Sequence, residues 1–404
     1  EMRKRQHAEA VLRQVAARFN YGEVLFPAFE HTSLFQKKSG EEIAGHMYVF
    51  EDKGGRSMCL RPEATASVAR MYGTALRGRQ KPVKVFYFAP MYRYEEPQKN
   101  RYREFWQFGF ELIGARSAES DAETITLAVE CLRKLGIEHT LEISHLGILR
   151  GLLAELGLAD AAQDHAIACL DRKNYDELKK TIDSDALLKL IELKGENALE
   201  DAEKILAGHQ KPLESLKELK ETAALLDAAK ISYSINLGMA RGLAYYTGMI
   251  LEIRVPSLGA QSQICGGGRY DNLIKLFTGL DEPAVGFAFG FDRVLDALES
   301  QGAKMPSEEG MVIVAAAGED ARTKAFGIAN MLRQDTALRI ELDLMNRKLS
   351  RILEYAAAAG AKYVVIAGSK ELSKGMVVLK DIQQKEQKEV RLEELSSIIN
   401  SKTA

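Results

Sequence analysis

Residues 83–114 read Val83-Lys84-Val85-Phe86-Tyr87-Phe88-Ala89-Pro90-Met91-Tyr92-Arg93-Tyr94-Glu95-Glu96-Pro97-Gln98-Lys99-Asn100-Arg101-Tyr102-Arg103-Glu104-Phe105-Trp106-Gln107-Phe108-Gly109-Phe110-Glu111-Leu112-Ile113-Gly114. Two runs alternate with a period of two around a charged loop, which predicts an antiparallel hairpin with a long connection. In the first run Val85, Tyr87, Ala89, Met91, Arg93 and Glu95 share a face; in the second Arg103, Phe105, Gln107, Gly109 and Glu111 do. Trp106, Phe108, Phe110 and Leu112 make the opposite face, an apolar wall. The polar face offers an arginine, an amide and a carboxylate, with Gly109 leaving room above the sheet. The loop from Glu95 to Arg103, with Gln98, Lys99 and Arg101, can reach a polyanion. A plain amphipathic hairpin also alternates, but it does not explain this order of polar groups.

Arg93-Tyr94-Glu95-Glu96-Pro97-Gln98-Lys99 followed by Arg101-Tyr102-Arg103-Glu104-Phe105 resembles motif 2 of class II aminoacyl-tRNA synthetases, and in detail that of histidyl-tRNA synthetases. The remaining chain tests the resemblance.

At 404 residues the chain is too long for one simple core and predicts two or three domains. The formal net charge of −2 gives a polyanionic partner no global attraction, so local basic patches would have to steer it. The four cysteines, Cys59, Cys131, Cys169 and Cys265, are far apart and form no CxxC pair. Buried free thiols are expected, not a disulfide framework or structural zinc, and no metal ligands are assigned. No apolar run is long enough to span a membrane, and no signal peptide opens the chain, so the expected compartment is the cytoplasm.

In chain order, residues 3–19 carry a helical stripe (Ala8, Val11, Leu12, Val15, Ala16, Phe19), and a strand over Glu23–Pro27 follows. This pairing resembles motif 1, the dimer-interface motif, and implies a homodimer. Leu60-Arg61-Pro62-Glu63-Ala64-Thr65 predicts a helix with Pro62 in its first turn, running through Arg70. Glu63 and Thr65 fit helix capping equally well on physical grounds; in the resembling family this motif contacts the amino-acid substrate. Residues 120–135 read as a scaffold helix and 137–144 as a strand. Residues 147–228 read as successive amphipathic helices with solvated charge runs.

Arg241-Gly242-Leu243-Ala244-Tyr245-Tyr246-Thr247-Gly248 resembles the histidine signature of the family, with Ala244 where many members carry Asp. Cys265-Gly266-Gly267-Gly268-Arg269-Tyr270-Asp271 resembles its second signature. The glycines allow close backbone approach, and Asp271 is placed to cap the helix after it. No Gly-Lys-Ser/Thr and no GxGxxG is present, so neither a P-loop nor a dinucleotide fingerprint applies. Residues 284–293 resemble motif 3. Gly286, Ala288 and Gly290 make a face flat enough for a base, and Arg293 lies in the first turn of a helix, where the dipole disfavours a cation unless an anion binds there. Beyond residue 310 a βαβαβ order with a final hairpin predicts a small α/β domain resembling the anticodon-binding domain.

The resemblance therefore implies an α+β protein. Its class II antiparallel-sheet core would span 1–146 and 229–300, with a helical insertion at 147–228, a linker at 301–308 and an anticodon-binding domain at 309–404. It implies ATP-dependent activation of L-histidine and transfer to tRNA-His, with ATP and Mg2+. Arg93 and Arg241 would be catalytic. Glu63, Thr65, Gln107, Glu111, Arg241, Tyr245 and Tyr246 would bind histidine. Arg93, Glu95 and Arg293 would bind ATP, and Gln98, Lys99, Arg101 and Arg347 would contact tRNA. The alternative within the same superfamily is a non-catalytic paralogue such as the regulatory subunit of ATP phosphoribosyltransferase. A plain RNA-binding protein would need no amino-acid pocket.

Overall fold

The computed structural model describes residues 1–36, 45–95, 102–182, 184–240, 245–303 and 310–401. The chain divides into two compact units, Glu1–Lys304 and Met305–Ala404.

The two strands of the expected hairpin are the second and third of the main sheet of the first unit. Strands Val83–Tyr92 and Glu104–Ile113 pair antiparallel, with Val85 opposite Glu111, Tyr87 opposite Gly109 and Ala89 opposite Gln107. The predicted faces are therefore shared across the two strands. The sheet has eight strands, in the order Gly22–Glu23, Val83–Tyr92, Glu104–Ile113, Ala284–Gly290, Gln263–Arg269, Met249–Arg254, Thr140–His145 and Ser234–Ile235. The six central strands are antiparallel, and only the two outermost pairings are parallel. The apolar face is aromatic: Phe86 stacks on Phe108 at 5.4 Å, Phe88 lies 4.6 Å from Trp106, and Phe110 stacks on Phe287 at 4.9 Å. Offset and edge contacts of this kind add to the area the rings bury.

Two helices close that face. Met2–Arg18 buries Ala8, Leu12, Val15 and Ala16, and Ala118–Leu135 packs beside it. The second helix is bounded by local chemistry. Ser117 and Ser120 form a reciprocal capping box, and Gly136 ends the helix at φ 70°, a left-handed conformation that glycine adopts at little cost. The strand expected over Glu23–Pro27 is shorter, covering Gly22–Glu23. Val24 N–H still donates to the Phe86 carbonyl at 2.9 Å, but the next carbonyls turn elsewhere: Phe26 and Pro27 accept from the buried Arg61 guanidinium at 2.7 and 2.9 Å.

The helices Leu146–Glu155, Asp160–Asp171, Tyr175–Thr181, Asp185–Glu192, Ala198–Ile205 and Gln210–Ala228 follow the amphipathic reading of residues 147–228. Their buried leucines, among them Leu149, Leu152, Leu216 and Leu219, belong to the same apolar core as the sheet. All four cysteines are buried and free.

The second unit holds a five-stranded sheet in the order Arg339–Leu342, Met311–Ala316, Ala361–Ala367, Met376–Asp381 and Gln387–Arg391. The first three strands are parallel and the last two add an antiparallel hairpin. Met311–Ala316 is covered on both sides: Val312 and Val314 enter one core, and Met311, Ile313 and Ala315 the other. That explains its continuous apolar run. Among the described residues no helix is long and apolar enough to cross a membrane.

Candidate active site

The polar face of the sheet forms the floor of a cavity of about 400 Å³. Register orders the floor. Glu111 opposes Gly286, Gly109 opposes Ala288, and Gln107 opposes Gly290. At about 3.4 Å per residue, Glu111 and Phe105 stand roughly 20 Å apart along one groove. Small residues on the motif 3 strand keep this groove open, as expected.

At the Glu111 end the side chains are buried and polar. Glu111 is 1% exposed. One of its oxygens accepts from Thr65 Oγ1 at 2.9 Å, and the other accepts from the Tyr270 hydroxyl. Burial pushes its carboxyl up to about 8, with Glu63 adding to the rise and the two hydroxyls opposing it. Tyr87, Tyr245 and Tyr270 are also buried, and their phenols are raised well above the usual range by burial. Tyr245, Tyr246 and Tyr270 pack together, with ring centroids 4.9 and 5.8 Å from Tyr245. Gly109 is required here because a Cβ would overlap the Tyr87 phenol.

Glu63 settles into the capping role that sequence chemistry left open. Its carboxylate accepts from Thr65 N–H at 2.6 Å and Ala66 N–H at 3.1 Å. The helix accordingly begins at Thr65, not near Pro62. Pro62 instead offers its carbonyl to Arg93 Nε at 2.9 Å. Glu63 also lines the cavity, so capping and a place in the site coexist. Arg61, in the same motif, is structural: it is 3% exposed, and besides Phe26 and Pro27 it donates to the Pro90 carbonyl at 2.8 Å.

The other end carries the cations. Arg93 lies over the Phe105 ring at 5.2 Å, and Arg293, in the first turn of helix Phe291–Ser300, donates to the Gln263 carbonyl at 2.7 Å. Both line the cavity, with Glu95 and Gln107. An anionic ligand would meet two guanidiniums and a helix N-terminus together.

The glycine-rich strand is anchored from behind. Buried Arg269 donates to Asp121 Oδ1 at 2.6 Å, Ser120 Oγ at 2.7 Å, and Asp271 Oδ1 and the Ala115 carbonyl at 3.1 Å. Asp271 does not cap the helix Leu273–Thr278 as expected, because its carboxylate is taken by Arg269 and by Arg116 at 2.8 Å. Asp121, read from sequence as a scaffold residue, is the main partner of this arginine.

The family model for histidyl-tRNA synthetase matches residues 1–294, and the model for an anticodon binding domain matches residues 311–402. The chain belongs to the histidyl-tRNA synthetase family. Among its relatives, a protein from Methanococcus aeolicus named histidine–tRNA ligase is 40% identical, covering 98% of this chain and 97% of its own. One from Methanocaldococcus jannaschii with the same name is 41% identical, covering 98% and 96%. The solved structure of apo S. aureus histidyl-tRNA synthetase is 28% identical, with a TM-score of 0.74 over 99% of this chain and 96% of that one.

Of the side chains the sequence singled out in this histidyl-tRNA synthetase family member, Glu63, Thr65, Arg93, Glu95, Gln107, Tyr245, Tyr246 and Arg293 line one cavity. Glu111 does not itself line the cavity; it is buried behind two residues that do, Thr65 and Tyr270, and accepts from their hydroxyls. Gln98, Lys99, Arg101 and Arg241 lie outside the described residues. Arg347 belongs to the second unit, where it pairs with Asp343 at 2.6 Å and lies over Tyr355 at 4.4 Å. Sequence reasoning missed Tyr270, Tyr87 and Cys265 as cavity-lining residues. Tyr87 could have been found from its place opposite Gly109. Tyr270 stands two residues beyond the last glycine of the run, but its direction depends on the turn after Arg269.

Proposed function

We infer that this cavity activates L-histidine with ATP and passes the histidyl group to tRNA-His. The observation that carries the reading is one groove lined by the buried Glu63 carboxylate and tyrosines at one end, with Glu111 directly behind Thr65 and Tyr270, and by two guanidiniums at the other. An imidazole needs an acceptor and an adaptable hydroxyl. Glu111 supplies the first, directly or through Thr65 and Tyr270, and Tyr246 the second. A ligand N–H arriving there favours the charged carboxylate, so imidazole binding is linked to loss of the Glu111 proton. Thr65, Gln107 and the Glu63 carboxylate serve the amino group, and Tyr245 packs the side chain.

In the first step the histidine carboxylate attacks the α-phosphorus, the bond to the bridging oxygen breaks, and pyrophosphate leaves. Arg93 holds the α-phosphate and Arg293 the terminal phosphates. Arg241 stabilises charge between the α-phosphate and the carboxylate. Fixed cations of this kind act on charge as it develops. In the second step a hydroxyl of the tRNA terminal ribose attacks the carbonyl, and AMP leaves. The 98–101 segment, with Gln98, Lys99 and Arg101, is assigned to the tRNA acceptor end, and Arg347 to the anticodon side.

Magnesium takes carboxylate and phosphate oxygens. Glu95 and Asp292 both line the cavity as such donors, Asp292 also accepting from Arg5 Nη1 at 3.1 Å and Trp106 N–H at 2.8 Å. Magnesium bound with ATP would supply neutralisation of phosphate charge.

We assign the chain a homodimeric state and a cytoplasmic setting. Residues 147–228 are proposed as the helical insertion, and 309–404 as the anticodon-binding domain. The deciding experiment is ATP–pyrophosphate exchange: it should require histidine, and exchange that ignores histidine, or none at all, would overturn the reading.

A further inference from the structure

Three side chains far along the chain from the signature motifs converge on one point. His165 and Cys169 lie four residues apart on helix Asp160–Asp171, hence on one face. Glu177 lies on the next helix, Tyr175–Thr181. His165 Nε2 is 3.2 Å from Glu177 Oε1 and 3.6 Å from Cys169 Sγ. The three donor atoms lie within 4.8 Å of one another, and among the described residues no other group of three His, Cys, Asp or Glu side chains meets this criterion.

We propose that His165, Cys169 and Glu177 bind one divalent cation of borderline softness, zinc by donor type. A thiolate, an imidazole and a carboxylate form a set that zinc accepts, with a fourth position open to water. The spacing fits. Ligands at zinc distances of about 2.3 Å to sulfur and about 2.0–2.1 Å to nitrogen or oxygen, spread tetrahedrally, stand roughly 3.4–3.6 Å apart, which the two measured separations from Nε2 approach. The third, between sulfur and oxygen, closes from within its 4.8 Å limit.

The frame is already braced. Asn174 Nδ2 donates to Glu177 Oε2 at 2.6 Å, which leaves Oε1 turned toward the imidazole. Asn174 N–H donates to the Cys169 carbonyl at 2.8 Å, tying the turn to the helix that carries the other two donors. Cys169 is buried and His165 exposed, so the site has an apolar back and an open front. The cation would clasp the two helices, and binding would release the thiol proton and weaken as pH falls.

The test uses the full chain, stripped by chelation and titrated with cobalt(II) chloride, then zinc chloride. One equivalent of cobalt should bind with a thiolate-to-cobalt charge-transfer band that zinc abolishes. Cys169→Ser should remove the band and weaken zinc binding by more than about tenfold, since even residues outside the ligand set commonly cost that much. His165→Gln, at an exposed position, should weaken zinc binding likewise while its metal-free melting temperature matches the metal-free wild type, which keeps the test valid if Cys169→Ser folds poorly. Absence of the band, or zinc binding of unchanged strength in His165→Gln, overturns the proposal.

Discussion

Glu111 and Gly286 face each other across adjacent strands, and the Glu111 carboxylate fills the space that a Cβ at position 286 would need. The glycine is therefore required both by the carboxylate's position and by the Phe110 carbonyl of the neighbouring strand, which a Cβ would also overlap. Gly286→Ala should push the carboxylate off Thr65 and Tyr270, an overpacking effect of about 1–3 kcal/mol. The expected outcome is a Michaelis constant for histidine raised by about tenfold or more, with that for ATP changed far less. Equal changes in both would detach Glu111 from histidine recognition.

Glu111→Gln keeps the shape and removes the carboxyl's capacity to become charged when imidazole binds. It should raise the Michaelis constant for histidine and leave that for ATP nearly unchanged. A structural ion pair with Arg93 or Arg103 would predict lost stability instead, but the carboxylate takes the hydroxyls of Thr65 and Tyr270.

The same substitution has a pH signature. The Glu111 carboxyl titrates near 8 in the folded protein against a usual value of 4.5. Below the lower value it is protonated in both states and contributes no pH dependence. Between the two values only the unfolded chain has lost the proton, so stability falls as pH rises, and the full cost is present above the higher value. Without substrates, the melting temperature of Glu111→Gln relative to wild type should therefore climb between about pH 5 and about pH 8. A difference that stays flat would place Glu111 in a more hydrated setting.

Arg269 holds the glycine-rich strand through Asp121, Ser120 and Asp271. Arg269→Met leaves two carboxylates without their buried cation. Breaking such a pair typically costs about 3–5 kcal/mol, to be read from chemical denaturation. A loss below about 1 kcal/mol would mean that the carboxylates find other partners.

Removing residues 308–404 should leave much of the histidine-dependent pyrophosphate exchange, because the sheet and cavity lie within the first compact unit. Charging at low tRNA concentration should largely disappear. Intact charging would show that the second unit does not hold the tRNA.

Exposed apolar side chains are present at Leu25, two residues after the strand Gly22–Glu23, and at Phe29, Val49 and Phe50 on a separate three-stranded sheet. Such groups mark association surfaces when they cluster. Sedimentation at micromolar concentration should give the proposed homodimer; a fully active monomer would refute it.

Sequence alone determined most of the elements and their faces, though not the extent of the strand after the first helix or the start of helix Thr65–Met71. Period-two alternation dictated which residues of 83–92 and 104–113 face the cavity, and helical stripes dictated the buried sides of 2–18 and 118–135, because side-chain direction follows local backbone geometry. The motif resemblance named eight of the residues that line the cavity. Tertiary structure decided which groups meet. Glu111 reaches Tyr270 across 159 positions and Arg269 reaches Asp121 across 148, and no local pattern encodes either encounter. Asp271 looked like a helix cap and became an arginine's partner, since a buried guanidinium must be neutralised and hydrogen-bonded. The convergence of His165, Cys169 and Glu177 likewise depends on the angle of a turn between two helices. Such meetings are set by which surfaces the whole fold can bury together, and only the folded chain expresses that choice.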